Sequence, residues 1–125
     1  MCNQLIKIQG FFFSGKPKVS LKISDESQPL EYGNTIILEA RVDSVPCVTN
    51  IEWTKDGKNL DLRGIKFSED STDGFNPKLI IDNIEFLEDG QYSIIVSNPL
   101  GSDSAHIQIN IKGKERISLY LLINI

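Results

Sequence analysis

The chain has 125 residues, and its 13 Lys and Arg against 17 Asp and Glu give a formal charge of −4, a length that suits one domain of ordinary size and leaves no room for a second core. No Lys/Arg cluster stands out, which argues against a phosphate-tracking surface and so against nucleic acid as a partner. The longest apolar stretches, residues 10–13 and 117–125, fall short of the roughly 18 to 20 residues that cross a bilayer.

Residues 1–16 read as an N-terminal tail. Their apolar run is interrupted by Lys7 and Gln9 and has one Lys in place of a basic n-region, so it makes a poor secretory signal. Val19, Leu21 and Ile23 then alternate with Lys18, Ser20 and Lys22, which predicts an edge strand with a basic outer face. Tyr32-Gly33-Asn34 reads as a turn, and Ile36, Leu38, Ala40 and Val42 form the next buried face. After a loop with Ser44, Pro46 and Cys47 come Ile51 and Trp53, and then Lys55-Asp56-Gly57-Lys58, a hairpin turn whose Asp-Gly pair suits positive backbone angles. Leu60 or Leu62 can cover the sheet edge. Ile65 and Phe67 predict a short strand, with residues 68–76 as a polar connection.

The strongest pattern lies at residues 79–101. Leu79, Ile81 and Ile84, with one slip at Asn83, and then Tyr92, Ile94 and Val96 recur at the two-residue period of a sheet with one buried face. Glu88-Asp89-Gly90 breaks the two runs, and Asn98-Pro99-Leu100-Gly101 ends the second. Ala105, Ile107, Ile109 and Ile111 give a last strand with His106, Gln108 and Asn110 on its wet side. Residues 112–125 read as an apolar C-terminal tail. No segment carries a period of 3.6, so helix is confined to a turn at most. Seven or eight short strands with turns at intervals of about ten residues predict an all-β antiparallel sandwich or barrel, and the pattern alone leaves both open.

Leu79-x-Ile81, Asp89-x-x-Tyr92-x-Ile94 and Asn98-x-x-Gly101, with Trp53 ahead of Lys55-Asp56-Gly57, resemble the intermediate-set (I-set) immunoglobulin domain over residues 17–111. The resemblance implies a two-sheet sandwich, with Trp53 as the buried tryptophan of the third strand and Tyr92 as the corner tyrosine bonded back to upstream backbone. It also implies that Asp89 pairs with Arg63; local backbone amides are the alternative partner. The two positions of the family's inter-sheet disulfide fall on Ala40 and Ile94, so that bond is absent, and the two side chains are expected to meet in the core beside Trp53. Only Cys2 and Cys47 are present and no disulfide framework is indicated. A sandwich that manages without its bond suits a reducing interior, which favours a cytoplasmic location over an extracellular one.

Chemistry is thinly represented. Cys47 and His106 lack a third group to orient a base, so Cys47 reads as a loop residue and His106 as a surface histidine. Asp70, Asp73, Asp82, Glu85, Glu88 and Asp89 do not follow calcium-loop spacing. No cofactor, metal or catalytic residue is expected. The outward phase of three strands gathers Glu52, Thr54, Ser93, Ile95, Ser97, His106 and Gln108 on one sheet face, a candidate surface for protein partners or neighbouring domains of the same chain. The sequence thus reads as a non-catalytic immunoglobulin-like binding or spacer module of a larger protein, such as an intracellular scaffold or filament protein. An extracellular adhesion or recognition domain is the alternative, and a metal-dependent sensor or enzyme on the same scaffold is the alternative of another class.

Overall fold

Alternation of apolar and polar residues becomes two layers of sheet. The computed structural model describes residues 14–25, 29–72 and 75–112. In chain order its strands are β1 (Gly15–Ile23), β2 (Ile36–Val45), β3 (Asn50–Lys55), β4 (Lys58–Asn59), β5 (Phe67–Asp70), β6 (Lys78–Ile81), β7 (Gly90–Asn98) and β8 (Gly101–Ile109). One sheet has the order β1-β2-β6-β5 and the other β4-β3-β7-β8, with every strand pair antiparallel. Two separate sheets decide for the sandwich over the barrel. Among the described residues the one helical piece is a 3₁₀ turn at Phe86–Glu88.

The inward phase of both sheets supplies the core: Ile36, Leu38, Ala40 and Val42 from β2, Leu79 and Ile81 from β6, Trp53 from β3, and Tyr92, Ile94 and Val96 from β7. Each fully buried side chain of this size contributes about 1.5–3 kcal/mol of transfer free energy. Ile107, expected in this set, is only half-buried; Ile109 and Ile111 further along are fully buried. Ala40 and Ile94 are both fully enclosed in the cluster that holds Trp53, which is paired with Ile94 in the β3–β7 register. Directional contacts cross between the layers, two of them at Trp53 and Tyr92. The Trp53 indole Nε1 donates to Glu69 Oε2 of β5 at 2.5 Å, and the rings of Phe67 and Tyr92 lie 6.3 Å apart, tilted at 51°.

The turns follow their residue chemistry. Asp56 (φ 51) and Gly57 (φ 83) occupy the left-handed region that a tight hairpin requires. The Asp56 carboxylate accepts from Gln91 N–H at 2.9 Å, which together with nearby Lys55 holds its carboxyl below the usual range. Tyr92 donates its hydroxyl to the Glu88 carbonyl at 2.6 Å, closing the expected tyrosine corner.

Three local expectations are corrected. Arg63 does not reach Asp89; its side chain is almost wholly exposed and its ion-pair partner is Asp61 at 3.8 Å. Asp89 instead accepts the Ile111 amide at 2.6 Å, a backbone group but a distant one. The corner is held by other residues. Lys66, just before β5, places its Nζ 3.1 Å from Glu88 Oε1 and donates to the Asn83 carbonyl, while Glu88 accepts Glu85 N–H at 2.7 Å. The pair that the resemblance implied, Arg63 with Asp89, is not formed; the ion pair at this corner is Lys66 with Glu88.

The second correction is that β5 begins at Phe67 and runs through Asp70, so Ile65 lies outside it, 98% exposed, and part of the supposed connection is strand. The Ser68–Ile80 and Asp70–Lys78 pairings fix this strand through its backbone, which hydropathy does not report. The third concerns Cys47, half-buried in the β2–β3 loop. It is disulfide-bonded, so it is not a free loop thiol. A bond made from a loop leaves no trace in strand phase. The two tails and Asp73 also lie outside the described residues.

Candidate interaction surface

The outward face of the β4-β3-β7-β8 sheet is assembled by register. Thr54, Ser93 and His106 form one row across β3, β7 and β8; Glu52, Ile95 and Ser104 form the next; Asn50, Ser97 and Ser102 form a third. Gln91 and Gln108 pair at the opposite end. All seven sequence-predicted residues therefore share one face. They are not equally available: Glu52, His106 and Gln108 are exposed, Ser93, Ile95 and Ser97 are half-buried, and Thr54 is buried. Thr54 lies between Ser93 and Asn59 of β4 in the ladder, and the added hairpin strand accounts for its burial. Asn50, Gln91, Ser102 and Ser104 complete the face and were missed, although extending the alternation by one step along each strand reaches them.

This face is polar and carries no assembled chemistry. His106 stands opposite Ser93, whereas the loop holding Cys47 leads to Thr49, whose amide bonds the Ser97 carbonyl. Four residues of strand, about 13 Å, separate those two levels. Among the described residues no group of three or more His, Cys, Asp or Glu side chains could hold a metal ion, and no helix is long and apolar enough to cross a membrane.

The two ends of the described chain are fastened at opposite poles. Asn98, at the end of β7, shares its two amide hydrogens among Gly15 O (2.7 Å), Ser44 Oγ (3.0 Å) and Pro46 O (3.2 Å), and its Oδ1 accepts Leu100 N–H at 2.8 Å. That network ties the start of β1 to the end of β2. At the other end of β7, the Ile111 amide is held by Asp89, and Lys112 exchanges hydrogen bonds with Leu30 and Tyr32 of the β1–β2 connection. Nine residues of β7 lie between, a span of about 30 Å.

Comparison with known proteins agrees with this architecture. The family model described as "Immunoglobulin I-set domain" matches residues 17–111. The chain is 35% identical over 102 residues to a human protein named SPEG neighbor protein, covering 80% of this chain and 41% of that one. It is 30% identical over 79 residues to a Caenorhabditis elegans titin homolog, covering 63% of this chain and, to the nearest per cent, 0% of that much longer protein. The chain thus spans less than half the length of these curated relatives. A solved structure of titin M4 superposes with a TM-score of 0.68 at 19% identity, covering 81% of this chain and 100% of that one; this likeness establishes the fold.

Proposed function

The chain belongs to the immunoglobulin I-set family, and on that premise we propose that it is a non-catalytic protein-binding or spacer module, residues 17–111, of a larger scaffold or filament protein. The observation that carries the reading is the placement of the ends. The chain comes in beside Gly15 at the Asn98 pole and leaves at Ile111 and Lys112 at the opposite pole. Units built this way follow one another in line, and each contributes its sheet faces to contacts made from the side. The small share of its relatives that the chain spans fits a module within a longer polypeptide.

Contact through the β4-β3-β7-β8 face centres on Ile95, a half-buried apolar side chain between Glu52 and Ser104. Ile95→Lys is expected to keep the thermal midpoint within a few degrees of the parent, because the position is on the outward phase, and to lose the partners that the parent captures. A folded variant with an unchanged set of partners would remove this face from the reading. Thiol alkylation of the native protein from cells separates the compartments: two reactive cysteines without reductant fit the intracellular branch, and a bonded Cys47 fits the extracellular adhesion branch.

A further inference from the structure

The outward face of the other sheet carries charges in rows across its strands. One row reads Lys22, Glu39, Lys78, Asp70 through β1, β2, β6 and β5. In it the Glu39 carboxylate lies 3.9 Å from Lys22 Nζ and 4.0 Å from Lys78 Nζ. Another row sets Lys18 opposite Asp43. Both rows are internally balanced. Between them lies a row in which Ser20 faces Arg41, and Arg41 is exposed and forms no ion pair among the described residues. A shallow groove of about 270 Å³ opens here, with Ser20, Lys22, Arg41 and Asn76 among its lining, together with Glu39, whose carboxylate is engaged by Lys22 and Lys78. Asn76 uses one of its two amide hydrogens on the Ala40 carbonyl, so a second donor is left at the groove.

We propose that this groove is an oxyanion subsite, and that it takes a single carboxylate or phosphoryl group presented by a polypeptide segment of another protein. The guanidinium supplies a planar fork of donors that matches such a group with two parallel bonds. The Ser20 hydroxyl and the Asn76 amide add neutral donors at the same place. The balanced rows on either side decide the class of partner. A continuous polyanion, nucleic acid or an anionic membrane, would set further negative charges against Glu39, Asp43 and Asp70, whereas an isolated anion in an otherwise neutral or mixed segment would not. This subsite stands on different residues from the Ile95 face and does not depend on it.

The test is a titration of the isotope-labelled full chain, followed by amide chemical shifts, with three peptides of one neutral sequence carrying phosphoserine, Glu or Ser at the centre, and with inorganic phosphate alone. The expected result is saturable movement of the Ser20, Arg41 and Asn76 amides with the first two peptides and none with the third. R41Q is expected to weaken binding about tenfold or more and R41K by less, the difference between losing the charge and losing only the fork. Equal binding to wild type and R41Q, or no saturable shift with either anionic peptide, would overturn the proposal. Inorganic phosphate binding as tightly as the phosphopeptide would overturn the assignment of a polypeptide ligand.

Discussion

Replacing Asn98 is the most informative perturbation of this fold. Its side chain is 6% exposed and joins four groups: the Gly15 and Pro46 carbonyls, the Ser44 hydroxyl and the Leu100 amide. Asn98→Ala removes every one of these bonds. With a net contribution of about 0.5–1.5 kcal/mol for each bond, and some compensation by water at the partly open carbonyls, the expected loss is about 2–4 kcal/mol. In urea unfolding at 25 °C, a slope of about 1–1.5 kcal/mol/M converts this into a midpoint lower by roughly 1.3–4 M. Asn98→Asp is the sharper variant, because it keeps the volume and the acceptor for Leu100 while turning the donating end into an acceptor against three oxygens. It is expected to cost at least as much as alanine. A loss below about 1 kcal/mol for Asn98→Ala, or an aspartate variant more stable than the alanine variant, would refute the account of Asn98 as the donor that fastens the start of β1.

Other outcomes can be set beside it. Tyr92 is fully buried, and burial, with the nearby Glu88 charge, raises its hydroxyl above the ordinary tyrosine range. The unfolded chain therefore releases this proton first as pH rises: stability from Tyr92 is intact below about pH 10 and falls above it by about 1.4 kcal/mol per pH unit. Urea midpoints from pH 9 to 12 should show that slope in the parent and a shallower one in Tyr92→Phe, which also loses about 1 kcal/mol at neutral pH with its bond to Glu88. Cysteines at Ala40 and Ile94, with Cys2 and Cys47 changed to serine, should oxidise to an inter-sheet bond; closing a loop of about 55 residues gives up to roughly 4 kcal/mol, read from midpoints with and without reductant. Limited trypsin digestion should cut first after Arg63, whose side chain and neighbour Ile65 stand almost fully in solvent; fragment masses showing an earlier cut within a strand would contradict the assignment of this loop.

Strand phase was legible wherever one face of a strand is buried. Ile36, Leu38 and Ala40, or Tyr92, Ile94 and Val96, announce themselves every second residue, and the structure buries all six. β5 was obscured because Ser68, Glu69 and Asp70 are held at a sheet edge by backbone pairing, which polar side chains do not reveal. The Lys66–Glu88 tie was misassigned for a related reason: several acids and bases lie within reach of that corner in sequence, and only the fold of the chain selects the pair. The candidate face was readable from alternation, but the burial of Thr54 was not, since it depends on a two-residue strand that carries no periodicity of its own. The Asn98 hub shows the same limit: an Asn-Pro pair announces a turn, and nothing in it announces bonds to residues more than 50 positions away.

Two of the outer strands of the sandwich bear on the proposed setting of this domain, among tethered neighbours. β4 is two residues long, and β5 ends its sheet with the acidic pair Glu69 and Asp70. A tethered neighbour meets such margins at millimolar effective concentration, where a long, flat, apolar margin would template mispairing between units. The stub of β4 and the negative charge of β5 deny that template at two of the four sheet margins, and leave the nine-residue strands β1 and β8 as the margins where a neighbour could pair.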